Sequence, residues 1–196
     1  QVLKRKFPEL ESEFKPIQQD VSRGVQVLDN LLLLARLDPE QKESLAKTKF
    51  DFSLLMQDVM KALQPFADSK QIKINVVLAE QACVLANEQL LFSALRNLLD
   101  NAIRYSPEQA QVFVNLTIEK QQLRLRIENS GNGVDAVVIQ RLGERFYRAL
   151  GTKTQGSGLG LSICQKIVDL HAGQLLFSSS DLGGLKVELL LNRVEP

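Results

Sequence analysis

Residues 87–105 contain apolar side chains in adjacent pairs that recur every four positions, a repeat that predicts an amphipathic helix. The opposite face then carries Asn97, Asn101 and Arg104 within about two turns, so these side chains converge on one patch. Amide oxygens suit the hard Mg2+ ion and a guanidinium binds phosphate oxygens, so the patch suits a metal-bound polyphosphate. An ordinary solvated helix face would show the same pattern. Other parts of the chain must therefore distinguish a binding site from such a face.

Length and charge limit what the chain can be. With 196 residues, 44% of them hydrophobic, it can form one medium-sized domain and an appendage. The formal net charge of +1 provides no long-range field for nucleic acid or an anionic membrane surface. Cys83 and Cys164 lie in apolar stretches, which is typical of free thiols in a reducing, cytoplasmic compartment. The chain begins with Gln1 and has no run long enough to span a bilayer, so we expect a fragment of a longer protein.

The N-terminal part, residues 1–38, is predicted to form a helical bundle element. Apolar residues alternate steps of four and three, as in a coiled-coil seam, at Val21, Val25, Leu28, Leu32 and Ala35. Further leucines add apolar surface around residues 31–34, so the helix is expected to pack against others from its own chain or from a second copy. A single helix docked on the domain is the alternative. Residues 39–49 are charged and polar and are predicted to be a linker.

The remaining residues, 50–194, are predicted to form an α/β (α+β) domain. Residues 50–52 suggest a short strand, and Ser53 is the predicted N-cap of a helix that reaches about residue 68. Residues 72–78 alternate as a strand does. Strict alternation also predicts strands over 112–118, 123–127 and 185–191. A sheet with one buried face, covered by three amphipathic helices, is a two-layer sandwich with a mixed, largely antiparallel sheet.

Two glycine clusters provide candidate phosphate contacts. Gly131 and Gly133 follow directly from a predicted strand, where the backbone can approach a ligand. Gly156, Gly158 and Gly160 run into a predicted helix over 161–170, whose N-terminal amide groups favour an anion. Each cluster alone is weak support, because the spacing matches neither a Walker loop nor a dinucleotide fingerprint.

Taken together, four motifs resemble those of the sensor histidine kinases. Residues 97–105 (NLLDNAIRY), 129–133 (NSGNG), 144–148 (ERFYR) and 156–161 (GSGLGL) are similar to the N, G1, F and G2 boxes of that family, in the same order. Residues 28–38 also resemble the end of the dimerisation and phosphoacceptor hairpin that precedes the ATP-binding domain. The resemblance implies the Bergerat-type (GHKL) fold, and the motifs are most similar to sensors of cationic peptides, metals or signalling hormones.

The resemblance also implies roles for individual residues. Asn101 would hold Mg2+, Asn97 would help to position the metal and the triphosphate, and both Arg104 and Tyr105 would contact phosphates. Residues 143–157 would form the mobile ATP lid, anchored by Phe146. Further lid or phosphate-chain contacts would come from Arg145, Arg148, Lys153, Gly156, Gly158, Leu159, Gly160 and Leu161.

The first glycine box departs from the family pattern at Asn129. The family has an aspartate there, whose carboxylate accepts a hydrogen bond from the adenine amino group; Gly131 and Gly133 follow it. An amide oxygen can accept the same bond without charge assistance, so we expect ATP binding to weaken by roughly 1 kcal/mol and the adenine preference to remain.

The chain contains one histidine, His171. Members of the family phosphorylate a histidine beside an acidic residue on the first bundle helix, and no such motif is present here, so the acceptor is expected upstream of Gln1. His171 ends a predicted helix before a glycine, a position suited to a cation near the dipole end. The resemblance also implies that the phosphoryl group passes next to an aspartate of a response regulator, and that the whole protein is a homodimer through the hairpin. It implies further that the chain is the cytoplasmic portion of an inner-membrane protein, which would contact the membrane only through an N-terminal part upstream of Gln1.

Three other functions are weighed against the sensor kinase. A degenerate nucleotide-binding scaffold without turnover is favoured by Asn129 and opposed by the intact Asn97, Asn101 and glycine clusters. A gyrase-, chaperone- or mismatch-repair-type ATPase would need a carboxylate base at position 97 to activate water. The anti-sigma-factor kinases share the fold, but the bundle-like helix favours the sensor class.

Overall fold

The computed structural model describes residues 45–131, 133–148 and 157–195, together with four residues nearer the N-terminus. The chain divides into two compact units, Gln1–Arg36 and Leu37–Pro196. In the first unit Val21, Gly24, Leu28 and Leu32 are helical, and the side chains of the three apolar ones are exposed. The rest of the predicted bundle helix, and residues 39–44 of the predicted linker, lie outside the described residues.

The second unit alternates strands and helices. In chain order these are β1 (Thr48–Asp51), α1 (Phe52–Ser69), β2 (Lys73–Leu78), β3 (Cys83–Ala86), α2 (Glu88–Tyr105), β4 (Gln111–Glu119), β5 (Gln122–Ser130), α3 (Ala136–Arg141), α4 (Gly160–Leu170), β6 (Gln174–Ser179) and β7 (Gly183–Asn192).

Five strands form one sheet in the order β2-β4-β5-β7-β6. β2 pairs with β4 in parallel, whereas the other three pairs are antiparallel. Alternate residues of β4 and β5, including Val114 and its partner Ile127, are buried beneath the helices. β1 and β3 form a separate antiparallel pair. The predicted two-layer sandwich with a mixed, largely antiparallel sheet and three long helices, α1, α2 and α4, is therefore confirmed.

The beginning of the domain differs from the prediction. β1 starts at Thr48, inside the predicted linker, and Phe52 is the first residue of α1 rather than the end of a strand. The N-cap is Asp51 and not Ser53, because the Asp51 carboxylate accepts a hydrogen bond from the Ser53 amide at 2.8 Å. A carboxylate at this place also complements the helix dipole, which a serine hydroxyl does not.

The first strand of the main sheet is also less regular than predicted. Val76 and Val77 are both exposed, although strict alternation requires one of them to be buried. β2 lies at the edge of the sheet, where covering by the helices is incomplete. Among the described residues, no helix has the length and apolar character that a membrane span requires.

Candidate functional site

The helix α2 is the central element of the site. Asn87 caps it by accepting a hydrogen bond from the Leu90 amide at 3.0 Å, and its apolar stripe is buried as predicted. This packing fixes the rotation of the helix, so Asn97 and Asn101 come to lie one turn apart at the partly exposed margin. The structure therefore keeps the two amides on one face, as the sequence predicts.

The start of α4 lies against Asn97. A Cβ added to Gly160 would be 3.9 Å from both Cγ and Oδ1 of Asn97. Of the helices α1 to α4, α4 alone has no side-chain cap, whereas Asp51, Asn87 and Asp135 cap the other three. Its first-turn amides have no carbonyl partner within the helix, so those of Gly160 and Leu161 are suited to an anion.

Leu159 anchors this end of α4 in the core. Its side chain is completely buried, and its carbonyl oxygen accepts hydrogen bonds from the Ile163 amide at 3.0 Å and from the Ser162 hydroxyl at 2.9 Å. The predicted phosphate-contacting end of the helix is thus held rigidly, with Gly160 beside the α2 amide patch.

The two ends of the predicted lid meet at Gly158. The Phe146 amide donates a hydrogen bond to the Gly158 carbonyl oxygen at 3.1 Å. Gly158 has a φ of +72°, and a Cβ there would be 2.8 Å from the Phe146 carbonyl carbon. Phe146 is 65% exposed and its contact with Gly158 is made by the backbone, so its predicted role as the anchor of the lid stays a prediction.

Of the other residues predicted to act in the lid, the structure describes some and not others. Arg145 and Arg148 are exposed. Gly156 and Lys153 lie outside the described residues, so their predicted contacts stay predictions.

Arg104 is held between two neighbours at the end of α2. Its guanidinium pairs with Asp100, with Nη2 2.9 Å from Oδ2, and lies 5.6 Å from the centroid of the Phe66 ring of α1. Tyr105 beside it is 45% exposed. The Asp100 carboxylate balances the charge of Arg104, which the sequence pattern did not reveal.

Lys70, just after α1, caps the C-terminus of α2. Its ammonium group donates hydrogen bonds to the carbonyl oxygens of Ile103 (2.9 Å), Arg104 (3.0 Å) and Ser106 (2.6 Å). Burial lowers the pKa of Lys70, and the nearby Glu108 carboxylate opposes this shift. Sequence reasoning missed this contact, because nothing local links a lysine to a helix end more than thirty residues later.

We expect Lys70→Met to lower the free energy of unfolding by about 2 kcal/mol, because three carbonyl oxygens at the end of α2 lose a charged donor. Urea denaturation measures the change. Lys73→Met, at an exposed position in β2, is the matched control. An equal loss in the two variants would contradict the capping role.

Asn129 lies at the end of β5 and is buried, with 6% of its surface exposed. Its Oδ1 accepts a hydrogen bond from the Leu185 amide of β7 at 3.1 Å, and its Nδ2 donates to the Ser130 carbonyl oxygen at 3.2 Å. The amide oxygen thus accepts one bond within the protein and keeps a second lone pair, so the predicted bond from the adenine amino group stays a prediction.

Two further glycines, Gly183 and Gly184, lie beside Asn129 and the first glycine cluster. Gly131 donates to the Leu182 carbonyl oxygen at 3.4 Å, and Gly133 donates to that of Gly183. A Cβ on Gly184 would overlap the carbonyl oxygen of Asn129, so only glycine allows the two strands to approach here. We did not single out Gly183 and Gly184 from the sequence, although two adjacent glycines just ahead of an alternating stretch are a usable turn signal.

His171 is buried at the end of α4 rather than charged at its surface. Its Nδ1 lies 2.7 Å from the Ile167 carbonyl oxygen, and its Nε2 accepts a hydrogen bond from the Asn87 amide at 2.9 Å. These two partners require a neutral ring protonated on Nδ1. Burial lowers the pKa of His171. The hydrogen bond to Ile167 opposes this shift, and the positive charge of Lys47 adds to it. The expectation of a cation near the dipole end is thus wrong, because the ring must accept a bond from the start of α2.

We expect the domain to lose stability as the pH falls below about 6.5, the ordinary pKa of histidine. The unfolded state then takes up a proton that the folded state, with its lowered histidine pKa, resists. The cost at pH 5.5 should be at most about 1.4 kcal/mol, because this pH is one unit below the ordinary pKa of histidine. Urea unfolding at pH 7.5 and 5.5 measures it, and His171→Gln should show a smaller difference. The same difference in both proteins would refute the assignment.

The donor set favours a metal shared with a ligand over a metal held by protein alone. In the parts of the chain that the structure describes, no three His, Cys, Asp or Glu side chains come together as a metal site. Asn97 and Asn101 offer only two neutral oxygens, which fits a Mg2+ ion that takes its other ligands from phosphates and water. The residues present therefore fit a Mg2+–nucleotide complex.

Comparison with known proteins agrees with this geometry. The family model described as histidine kinase-, DNA gyrase B- and HSP90-like ATPase matches residues 86–195. The chain belongs to this family. The matched part includes α2, α4 and both glycine clusters, so every residue discussed above for nucleotide binding lies within it.

Among similar proteins are two bacterial sensors. The sensor protein QseC of Escherichia coli K12 is 35% identical over 175 residues, which are 88% of this chain and 38% of that protein. The sensor protein kinase PmrB of Pseudomonas aeruginosa PAO1 is 33% identical over 184 residues, 92% of this chain and 38% of that protein. The chain thus spans 38% of the length of each.

Solved structures show the same fold. The catalytic domain of the histidine kinase ThkA has a TM-score of 0.69 at 26% identity, over 75% of this chain and 95% of that one. The cytoplasmic segment of QseC gives 0.59 at 25% identity, over 90% and 95%. The domain is therefore the catalytic ATPase domain of the sensor histidine kinase type, and the degenerate-scaffold alternative has no support in these matches.

Proposed function

We propose that this chain is the catalytic part of a two-component sensor histidine kinase, which binds ATP with Mg2+ and transfers the γ-phosphoryl group to a histidine outside the chain. Asn97 and Asn101 would hold Mg2+, whose positive charge would offset the negative charge of the phosphate groups. The amides of Gly160 and Leu161 would bind the phosphate chain, and Arg104 would bind a phosphate from the end of α2.

The observation that carries this proposal is the meeting of α2 and α4. The uncapped N-terminus of α4 lies against the Asn97 amide, so a phosphate-binding helix end and a metal-binding amide share one place. Positioning and charge neutralisation are the main demands of phosphoryl transfer, and these two elements supply both.

His171 is a poor acceptor. Its ring is buried, and both of its nitrogens are engaged with backbone groups. An accepted phosphoryl group would displace one of those bonds and place a charged group in the core. We therefore place the acceptor histidine outside residues 1–196, and the aspartate of a cognate response regulator would receive the phosphoryl group next.

The N-terminal helix would form the dimer of the whole protein. Val21, Leu28 and Leu32 are exposed and apolar, as a seam awaiting a partner helix requires. We place this chain in the cytoplasmic portion of an inner-membrane protein, in keeping with the sensors that it resembles; contact with the membrane would come through another part.

The proposal is tested by calorimetric titration of this chain with a non-hydrolysable ATP analogue, with and without Mg2+. We expect saturable binding that Mg2+ strengthens. A parallel incubation with γ-labelled ATP should leave the chain without stable label. Stable label on His171, or a complete lack of nucleotide binding, would overturn the proposal.

A further inference from the structure

The orientation of the Asn129 amide is fixed by its neighbours. Oδ1 faces the Leu185 N–H group and Nδ2 faces the Ser130 carbonyl oxygen. Rotation of the amide by half a turn would set two donors against each other at Leu185 and two acceptors at Ser130. The side chain is also confined, because Nδ2 would be 2.8 Å from a Cβ on Gly184.

These two bonds leave part of the amide unused. Nδ2 has a second N–H, and Oδ1 has a second lone pair, so the group retains one donor and one acceptor. An aspartate in the same place would offer acceptors only. It would also bring a carboxylate oxygen towards the Ser130 carbonyl oxygen, where the amide nitrogen now lies 3.2 Å away.

In the proposed function, residue 129 would contact the base of the bound nucleotide. Its side chain is on the same face of β5 as the buried Ile127, the face against which α2 packs. It is also beside the glycines that allow close approach of the backbone. In such a buried place, a base that left a polar group unpaired would lose much of its affinity, so the donors and acceptors at residue 129 govern selectivity.

We infer that Asn129 makes this site accept 6-oxopurine as well as 6-aminopurine nucleoside triphosphates. The inference rests on the proposed function, because it assumes that a purine nucleotide occupies the site. The unused lone pair of Oδ1 matches a 6-amino group, and the unused N–H of Nδ2 matches a 6-oxo group. A carboxylate would repel the 6-oxo oxygen and exclude the second class.

The experiment is a pair of titrations of the native chain, with Mg2+–ATP and with Mg2+–ITP, which carry a 6-amino and a 6-oxo group on the purine. We expect the two dissociation constants to agree within about tenfold, a difference of less than about 1.4 kcal/mol. Asn129→Asp should then favour ATP by a further factor of about ten or more. Asn192→Asp, at an exposed position at the end of β7, adds the same charge and should leave the ratio unchanged.

The outcomes separate the two proposals. A native chain that binds ATP about a hundred times more tightly than ITP would overturn this inference and leave the proposed function intact. A chain that binds neither nucleotide would overturn the proposed function and this inference with it. If Asn129→Asp does not fold, the native comparison decides the question alone.

Discussion

Asn101→Ala is expected to weaken Mg2+-dependent binding of an ATP analogue by about a hundredfold, close to 2.7 kcal/mol. The variant removes one of only two protein oxygens that we assign to the metal, and no neighbouring carboxylate cluster can replace it among the described residues. Without Mg2+ the native chain and the variant should bind alike. Calorimetry under both conditions measures the difference.

The matched control for this change lies in the same helix. Gln89→Ala also removes an amide side chain from α2, but from an exposed position in its first turn. It should leave affinity and thermal stability unaltered. If Asn101→Ala weakened binding equally in the absence of Mg2+, the residue would be a direct ligand contact and its metal role would be wrong.

Gly158→Ala is expected to weaken nucleotide binding by at least about tenfold, because it displaces the contact between the two ends of the lid. A side chain at a φ of +72° costs roughly 1 kcal/mol, and the added methyl group would come within 2.8 Å of the Phe146 backbone. The two chain segments at the ends of the lid would have to separate, breaking the hydrogen bond from the Phe146 amide to the Gly158 carbonyl oxygen. Titration and thermal unfolding measure the two effects.

Gly143→Ala separates conformational strain from steric overlap. Gly143 also has a positive φ, +95°, but a Cβ there would meet only Phe177 Cε2 at an ordinary 3.7 Å. It should cost stability and leave nucleotide affinity within about threefold of the native value. Equal losses of affinity in the two variants would show that the contact with Phe146 does not position the lid.

The sequence predicted the elements whose pattern is local. The paired apolar positions of α2 and the alternation in β4, β5 and β7 each repeat with a period that only one kind of element can bury. The polar face of α2 followed from the same repeat, so Asn97 and Asn101 were placed correctly on one side of the helix.

Predictions failed where the same few residues are compatible with two local structures. Asp51 and Ser53 are both good caps, and the carboxylate of Asp51 starts α1 earlier than the serine would. The alternation of residues 72–78 did not predict that β2 lies at the sheet edge and pairs in parallel with β4, because pairing direction depends on residues far along the chain.

What the sequence determined by itself is the period of each element and the identity of the chemical groups: two amides, a guanidinium and the glycine clusters. What only the tertiary structure decided is which polar side chains are hydrogen-bonded within the protein. Leu185 occupies the oxygen of Asn129, Asn87 holds His171 neutral, and Lys70 caps a helix that begins far from it. A hydrogen bond depends on distance in space, and residues far apart in sequence are brought together only when the core has packed.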